Sequence, residues 1–228
     1  MYLVASYPRS GNHLVRFLVE YLTGRPTLGC RGNEHDVPIH LNAFPEPNLL
    51  AHVGGEPIGQ KVHSADEVAE ALAGDEIKGT ILILRHPAEA VMSHVRQPRW
   101  VGDYPRYLRR LDQGIKQYFC LKEAILRSGV PSVNVTYENL ISECEECFLK
   151  ELDLIVRFLG PAVDPEREAI VRLDYRRLRA LNAMATGRAW GGIRSGFNPR
   201  HYSERADPIT SRFLRRRLGD KRPDIAAA

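Results

Sequence analysis

Long apolar runs are missing from this sequence. The purest one, Thr80-Ile81-Leu82-Ile83-Leu84, meets Arg85 far short of the ~20 residues that a membrane-spanning helix needs. Met1 leads directly into Tyr2-Leu3-Val4-Ala5-Ser6, without a basic region, an extended apolar stretch or a cleavage site. No membrane contact or secretory route is expected, and the chain reads as cytoplasmic. Cysteine is scarce, with four in 228 residues: Cys30, Cys120, Cys144 and Cys147. Only Cys144-Glu145-Glu146-Cys147 has metal-like spacing, and no second Cys or His pair nearby completes four ligands. Free thiols in a reducing compartment, with no metal, are the expectation. Charge of one sign is also in short supply. Lys plus Arg is 32 against 28 for Asp plus Glu, and the net +4 suits an anionic ligand without arguing for nucleic acid. There is no internal repeat, low-complexity tract or Pro/Gly/Ser linker, so one domain over residues 1–228 is expected.

What is present is the composition of a globular chain. Hydrophobic residues are 43% and charged residues 26%, which excludes disorder and collagen-like repeats. Leu3 to Tyr7 reads as a buried strand ending at Pro8. Leu14, Phe17, Leu18, Tyr21 and Leu22 then recur at helical spacing until Gly24 and Pro26 stop the helix. Residues 25–56 read as a long irregular connection, a length that in compact domains usually signals function or disorder. Pro57 to Val62 forms a second strand. Ser64 caps a helix through Ala73, with Glu67 completing a capping box. Thr80 to Leu84 is a third strand, and Pro87 opens the helix after it. Tyr104 to Arg127 is a long amphipathic helix, and Ser132 to Thr136 is a fourth strand. Helix then dominates up to a loop at 187–192. Strands alternating with helices imply an α/β fold, with a parallel sheet covered by helices on both faces.

Three constellations carry chemistry. Tyr7-Pro8-Arg9-Ser10-Gly11-Asn12-His13 lies between a strand and a helix, where backbone N–H groups and a helix N-terminus converge on an anion. Arg9 adds a forked cation. This P-loop-like turn lacks the Gly-x-x-x-x-Gly-Lys-Ser/Thr of nucleotide kinases. Arg85 ends a buried strand, and Ser93 lies nearly two turns into the following helix. Together they suit a phosphate at the sheet edge where ligands of parallel sheets bind. Lys61-Val62-His63 ends the second strand, with Lys61 and His63 on one face. A histidine there is placed to take a proton near neutral pH. Each has a plain structural alternative: an ordinary turn, a surface arginine with a helix-face serine, and a packed histidine.

Taken together, the residues resemble the PAPS-dependent sulfotransferases (PAPS is 3′-phosphoadenosine 5′-phosphosulfate). Tyr7 to His13 is similar to their 5′-phosphosulfate loop, Tyr-Pro-Lys/Arg-Ser-Gly-Asn/Thr-Thr. Arg85-His86-Pro87-Ala88-Glu89-Ala90-Val91-Met92-Ser93 resembles their 3′-phosphate motif. Lys61-Val62-His63 looks like the Lys-Thr-His segment that bears the catalytic base. Val135-Thr136-Tyr137-Glu138-Asn139-Leu140 is similar to the stretch whose Tyr lies against adenine. The four matches run in family order over residues 2–140. Towards the C-terminus Arg194-Ser195-Gly196 supplies the family's Arg-x-Gly, but the following Gly-x-Trp is absent; Arg188 and Trp190 lie just upstream. His13 stands where Thr is usual, and Leu14 where an aromatic often stacks on adenine.

The resemblance implies transfer of a sulfuryl group from PAPS to a hydroxyl or amine, leaving PAP. Arg9 would stabilise charge on the bridging oxygen, and the amides of Ser10, Gly11, Asn12 and His13 would hold the 5′-phosphate. His63 would deprotonate the acceptor while Lys61 orients the sulfuryl group. Arg85, Ser93 and Arg194, with Ser195 and Gly196 beside it, would read the 3′-phosphate. Leu14 and Tyr137 would border the adenine. No metal is implied. The expected acceptor is a small molecule, a glycan or a peptide, met by residues 25–56 and 97–110, among them His35, His40, Phe44, Trp100, Tyr104 and Tyr107. Three other readings stay open. One is a P-loop kinase-like phosphoryl transferase, and a second is a PAP-binding relative without catalysis. The third is a nucleic-acid module using Arg176, Arg177, Arg179, Arg212, Arg215, Arg216 and Arg217.

Overall fold

The computed structural model describes residues 1–30, 54–74, 76–95, 101–142, 144–173 and 206–219. Among these residues, five strands form one parallel sheet: β1 (Tyr2–Ser6), β2 (Thr27–Leu28), β3 (Gly59–Val62), β4 (Gly79–Leu84) and β5 (Ser132–Thr136). They lie in the order β2-β3-β1-β4-β5, with β1 at the centre. Val4 stands opposite Lys61 on one side and Ile81 on the other, and β4 meets β5 from Thr80↔Ser132 to Leu84↔Thr136. The apolar content of β1 and β4 follows from this position, because inner strands of a parallel sheet are buried on both faces.

The helices are α1 (Asn12–Thr23), α2 (Ala65–Gly74), α3 (Pro87–His94), α4 (Tyr104–Arg127), α5 (Tyr137–Ile141), α6 (Glu145–Leu159) and α8 (Pro208–Leu218). A further helical stretch, α7, covers 165–173. None of the helices among the described residues is long and apolar enough to cross a membrane. Strand alternation divides the core. Val4, Ile81, Ile83 and Val135 face Phe17, Leu18 and Leu22 of α1 and Phe148, Leu152 and Ile155 of α6. Leu3, Ala5, Val62 and Leu82 face Val68 and Ala71 of α2 and Leu121 and Ile125 of α4. A third cluster joins Tyr7, α3, α4 and Leu214 of α8. The expected two-sided α/β sandwich is the one observed.

Local signals set most element ends. Gly24 takes the left-handed conformation at φ 64° and closes α1 with a bond to the Glu20 carbonyl. Pro87 starts α3, as its fixed φ favours. Ser64 Oγ accepts the Glu67 amide at 3.2 Å, but the Glu67 carboxylate reaches the His63 amide, one residue earlier than a standard capping box would place it. One strand was not expected: Thr27–Leu28 pairs with β3 through Thr27↔Gly59. Beneath it lies a buried polar knot. Arg16 donates to Thr27 Oγ1 at 2.8 Å and to the Thr27 carbonyl at 3.2 Å, and Glu20 accepts the Thr27 amide at 3.0 Å and its hydroxyl.

Candidate active site

All four sequence motifs reach the C-terminal edge of the sheet, where open parallel sheets bind ligands. Residues 7–11 leave β1, His63 follows β3, Arg85 follows β4, and Tyr137 follows β5.

The first loop is held in an uncommon backbone. Arg9 has φ 68°, the left-handed region where residues with a β-carbon are rare. Gly11 has φ 90° and precedes α1, whose N-terminus carries no side-chain cap. The first amides of a helix point outward without intrahelical partners, which makes such an end a receptor for anions. The Ser10 amide is already engaged, donating to the Tyr7 carbonyl at 3.2 Å. What Ser10 offers is its hydroxyl, which is buried without a hydrogen-bond partner among the described residues. Asn12 contributes differently from its amide role. Its Nδ2 donates to the Val4 carbonyl at 2.9 Å and to Ser6 Oγ at 3.2 Å, tying the helix start to β1. Leu14 is buried in the core beside the sheet. His13 occupies the first turn of α1, half-buried.

Arg85 is buried and joins three motifs. Its Nη1 donates to the Arg9 carbonyl at 2.6 Å, and its guanidinium lies over the Tyr137 ring, 4.8 Å from the centroid. Glu89, one turn into α3, stands 4.0 Å from Nη2. Tyr137 in turn packs against Gly11 so closely that a β-carbon there would come within 2.7 Å of ring atom Cε2. The loop residue must therefore be glycine twice over, for its φ and for this ring. The neighbours of Tyr137 anchor the same corner. Glu138 Oε1 accepts the His86 amide at 2.9 Å, and Asn139 Nδ2 donates to Glu151 Oε1 at 2.6 Å. Glu151 Oε2 accepts the Thr136 amide at 2.8 Å.

His63 stands across the loop. Its Nδ1 is 2.6 Å from the Ser6 carbonyl. A carbonyl only accepts, so Nδ1 carries the proton in the neutral ring and the basic lone pair belongs to Nε2. Lys61 pairs with Val4 in register and lies on the face opposite Val62, two residues from His63 and on the same side of β3. Ser93 is half-buried near the end of α3. The adjacent His94 meets Tyr7 edge-on at 5.6 Å. Partial burial, and then the charge of Arg9, hold the His94 imidazole below its usual value. Burial pushes the Tyr7 and Tyr118 phenols up to about 12. Tyr118 donates to the Arg85 carbonyl at 2.7 Å, while the Tyr7 hydroxyl is buried without a partner among the described residues.

Arg194, Ser195 and Gly196 lie outside the described residues, as do His35, His40, Phe44, Trp100, Arg188 and Trp190. Tyr107 is buried among Leu111, Ile115 and Leu214, with Tyr104 against it at 5.9 Å. Sequence reasoning missed Glu151, Tyr118 and His94, and quoted Glu138 within its motif without a role. Glu151 had a signal: it shares the apolar stripe of α6 with Phe148, Leu152 and Ile155, where a lone carboxylate needs a partner.

No family model matches the sequence, and no curated protein does. Among solved structures, the chain matches a crystal structure of retinol dehydratase in complex with retinol and PAP. The TM-score is 0.56 at 16% identity, over 100% of this chain and 82% of that one. The chain therefore has the fold of retinol dehydratase, the fold that the sulfotransferase resemblance implied.

Proposed function

We propose that this protein is a PAPS-dependent sulfotransferase that sulfates the hydroxyl of a small molecule. The carrying observation is the convergence of four separate motifs on one corner, closed by Arg85 on the Arg9 carbonyl and by Tyr137 on Gly11. PAP and retinol, an alcohol, are the ligands named for retinol dehydratase, which supports the same pair of ligand classes here. The residues suit the nucleotide. An uncapped helix start, a buried Ser10 hydroxyl with no hydrogen-bond partner among the described residues, and the presence of Arg9 and Arg85 at one loop support this reading.

In the reaction, the acceptor oxygen attacks the sulfur of PAPS and the bond from sulfur to the bridging oxygen breaks. PAP departs, and the acceptor proton passes to His63 Nε2. The Ser6 carbonyl fixes the tautomer that leaves Nε2 basic, and it steadies the imidazolium that forms. Arg9 neutralises charge on the departing 5′-phosphate, and Lys61 orients the sulfuryl oxygens. Arg85, Ser93 and Arg194 recognise the 3′-phosphate. Displacements of this kind depend on positioning and charge more than on covalent chemistry, by analogy with phosphoryl transfer.

The test is a thermal-shift titration with PAP against ADP plus Mg²⁺. Ligand at ~100 times its Kd adds about 2.7 kcal/mol, a shift of roughly 5–10 °C for a chain of this size. His63→Ala is expected to keep the PAP shift and to lose turnover of PAPS with small-molecule alcohols. Stabilisation by ADP plus Mg²⁺ without any PAP effect would instead make the protein a kinase-like transferase. A PAP shift with wild-type turnover in His63→Ala would remove His63 as the base.

A further inference from the structure

The pair Cys144 and Cys147 takes no part in the reaction above. Cys144 is the N-cap of α6, and its Sγ accepts the Cys147 amide at 3.4 Å. Ser142 Oγ accepts the Cys144 amide at 3.1 Å and fixes the approach to the helix. The two residues between them, Glu145 and Glu146, are helical. Helix geometry then sets the two Cα atoms about 5 Å apart, within the range of roughly 4.4–6.8 Å that disulfides span. Cys144 is exposed and Cys147 partly so.

We propose that Cys144 and Cys147 form a thiol–disulfide exchange site for low-molecular-weight disulfides, with Cys144 attacking and Cys147 resolving. A Cys-x-x-Cys pair at the start of a helix favours this chemistry, because helix amides stabilise the first sulfur as thiolate. The two thiols differ in the required sense. Hydrogen bonds from the Cys147 side chain and amide hold Cys144 below the usual thiol value, against the nearby charge of Glu146. Cys147 is pushed up, first by its neighbour Cys144 and then by burial.

The exchange balances with glutathione disulfide as oxidant. The Cys144 thiolate attacks one glutathione sulfur, the S–S bond breaks, and the departing glutathione thiolate takes up the proton lost by Cys144. Cys147 then gives up its proton and attacks the Cys144 sulfur. The internal disulfide forms, and a second glutathione thiol leaves. The dithiol is oxidised by two electrons and one glutathione disulfide is reduced to two thiols.

The full chain, held in glutathione redox buffer, quenched in acid and mapped by peptide mass, tests this. A Cys144–Cys147 disulfide, lighter by two hydrogens, is expected as the main oxidised product. Cys144 should react with glutathione disulfide at least about tenfold faster than exposed Cys120, the internal control. Cys147→Ser should accumulate glutathione on Cys144. Cys144→Ser keeps a good N-cap and so the fold; it should abolish the internal disulfide while leaving the Cys120 rate unchanged. Equal rates at Cys144 and Cys120, or mixed disulfide that never closes in the unsubstituted chain, would overturn the proposal. Both readouts are independent of PAPS.

Discussion

Arg9 holds φ 68°, a conformation that disfavours any residue with a β-carbon by roughly 1–2 kcal/mol. Its carbonyl is used by Arg85, while its side chain is exposed and, in the proposed reaction, meets the ligand. Structure and chemistry therefore separate at this residue. Arg9→Gly keeps the carbonyl and removes the strain, so urea unfolding should show stability unchanged or raised by up to ~1 kcal/mol. Turnover should fall by about 10²–10³, the usual loss for one charge-stabilising donor. A destabilised variant would contradict the strain argument. His94 makes a second prediction at this scale. Burial and Arg9 lower its proton affinity, and an anion beside Arg9 would offset the second of these. PAP binding should then draw in a proton between the lowered value and about 6.5. Calorimetry in buffers of different ionisation heat measures that uptake, and His94→Gln should abolish it.

Between elements, α4 comes unusually close to Tyr7, at the start of the loop after β1, and to Val91 of α3. A β-carbon at Gly114 would stand 2.7 Å from the Tyr7 hydroxyl and 2.8 Å from Val91 Cγ1. Alanine normally gains up to ~1 kcal/mol over glycine inside a helix. Here Gly114→Ala should instead cost about 1–3 kcal/mol by overpacking. The Tyr7 hydroxyl is buried without a partner among the described residues, so Tyr7→Phe should be neutral or stabilising. In that background the Gly114→Ala penalty should shrink, and a double-mutant cycle by denaturant unfolding reads the coupling. These contacts also mark what a linear sequence reveals. Tyr104 to Arg127 and Ser132 to Thr136 were legible to the residue, because proline, turn residues and one long apolar period bound them. Thr27–Leu28 was not, because two residues carry no period. Its strand character comes from Gly59 across the sheet and from Glu20 beneath it.

For the molecule as a whole, one source of pH dependence among the described residues is the knot below β2. Glu20 is fully buried, and desolvation raises its carboxyl above the usual value despite the Thr27 hydrogen bonds and the Arg16 charge. A raised folded value means that its stabilisation is complete below the unfolded value and is lost as pH rises through the folded one. Stability should therefore decline from about pH 4.3 upward through that window. Glu20→Gln should flatten the decline, as measured by urea midpoints across pH. The fold class and the four motifs were readable because each motif follows a strand. How they lock together was not. Nothing local in Asn12 shows its bond to Val4, and nothing local in Arg85 shows its hold on a carbonyl 76 residues earlier.

That 76-residue span also bears on the order of folding. The central strands and α1 can assemble from their own apolar contacts, whereas the contacts on the left-handed turn after β1 come from Arg85 and Tyr137, later in the chain. Contacts so distant in sequence close late. A refolding chain should thus regain its helical signal before it regains any capacity to bind PAP, and a nascent chain stopped before Tyr137 would emerge with its first motif complete in sequence and unformed in space.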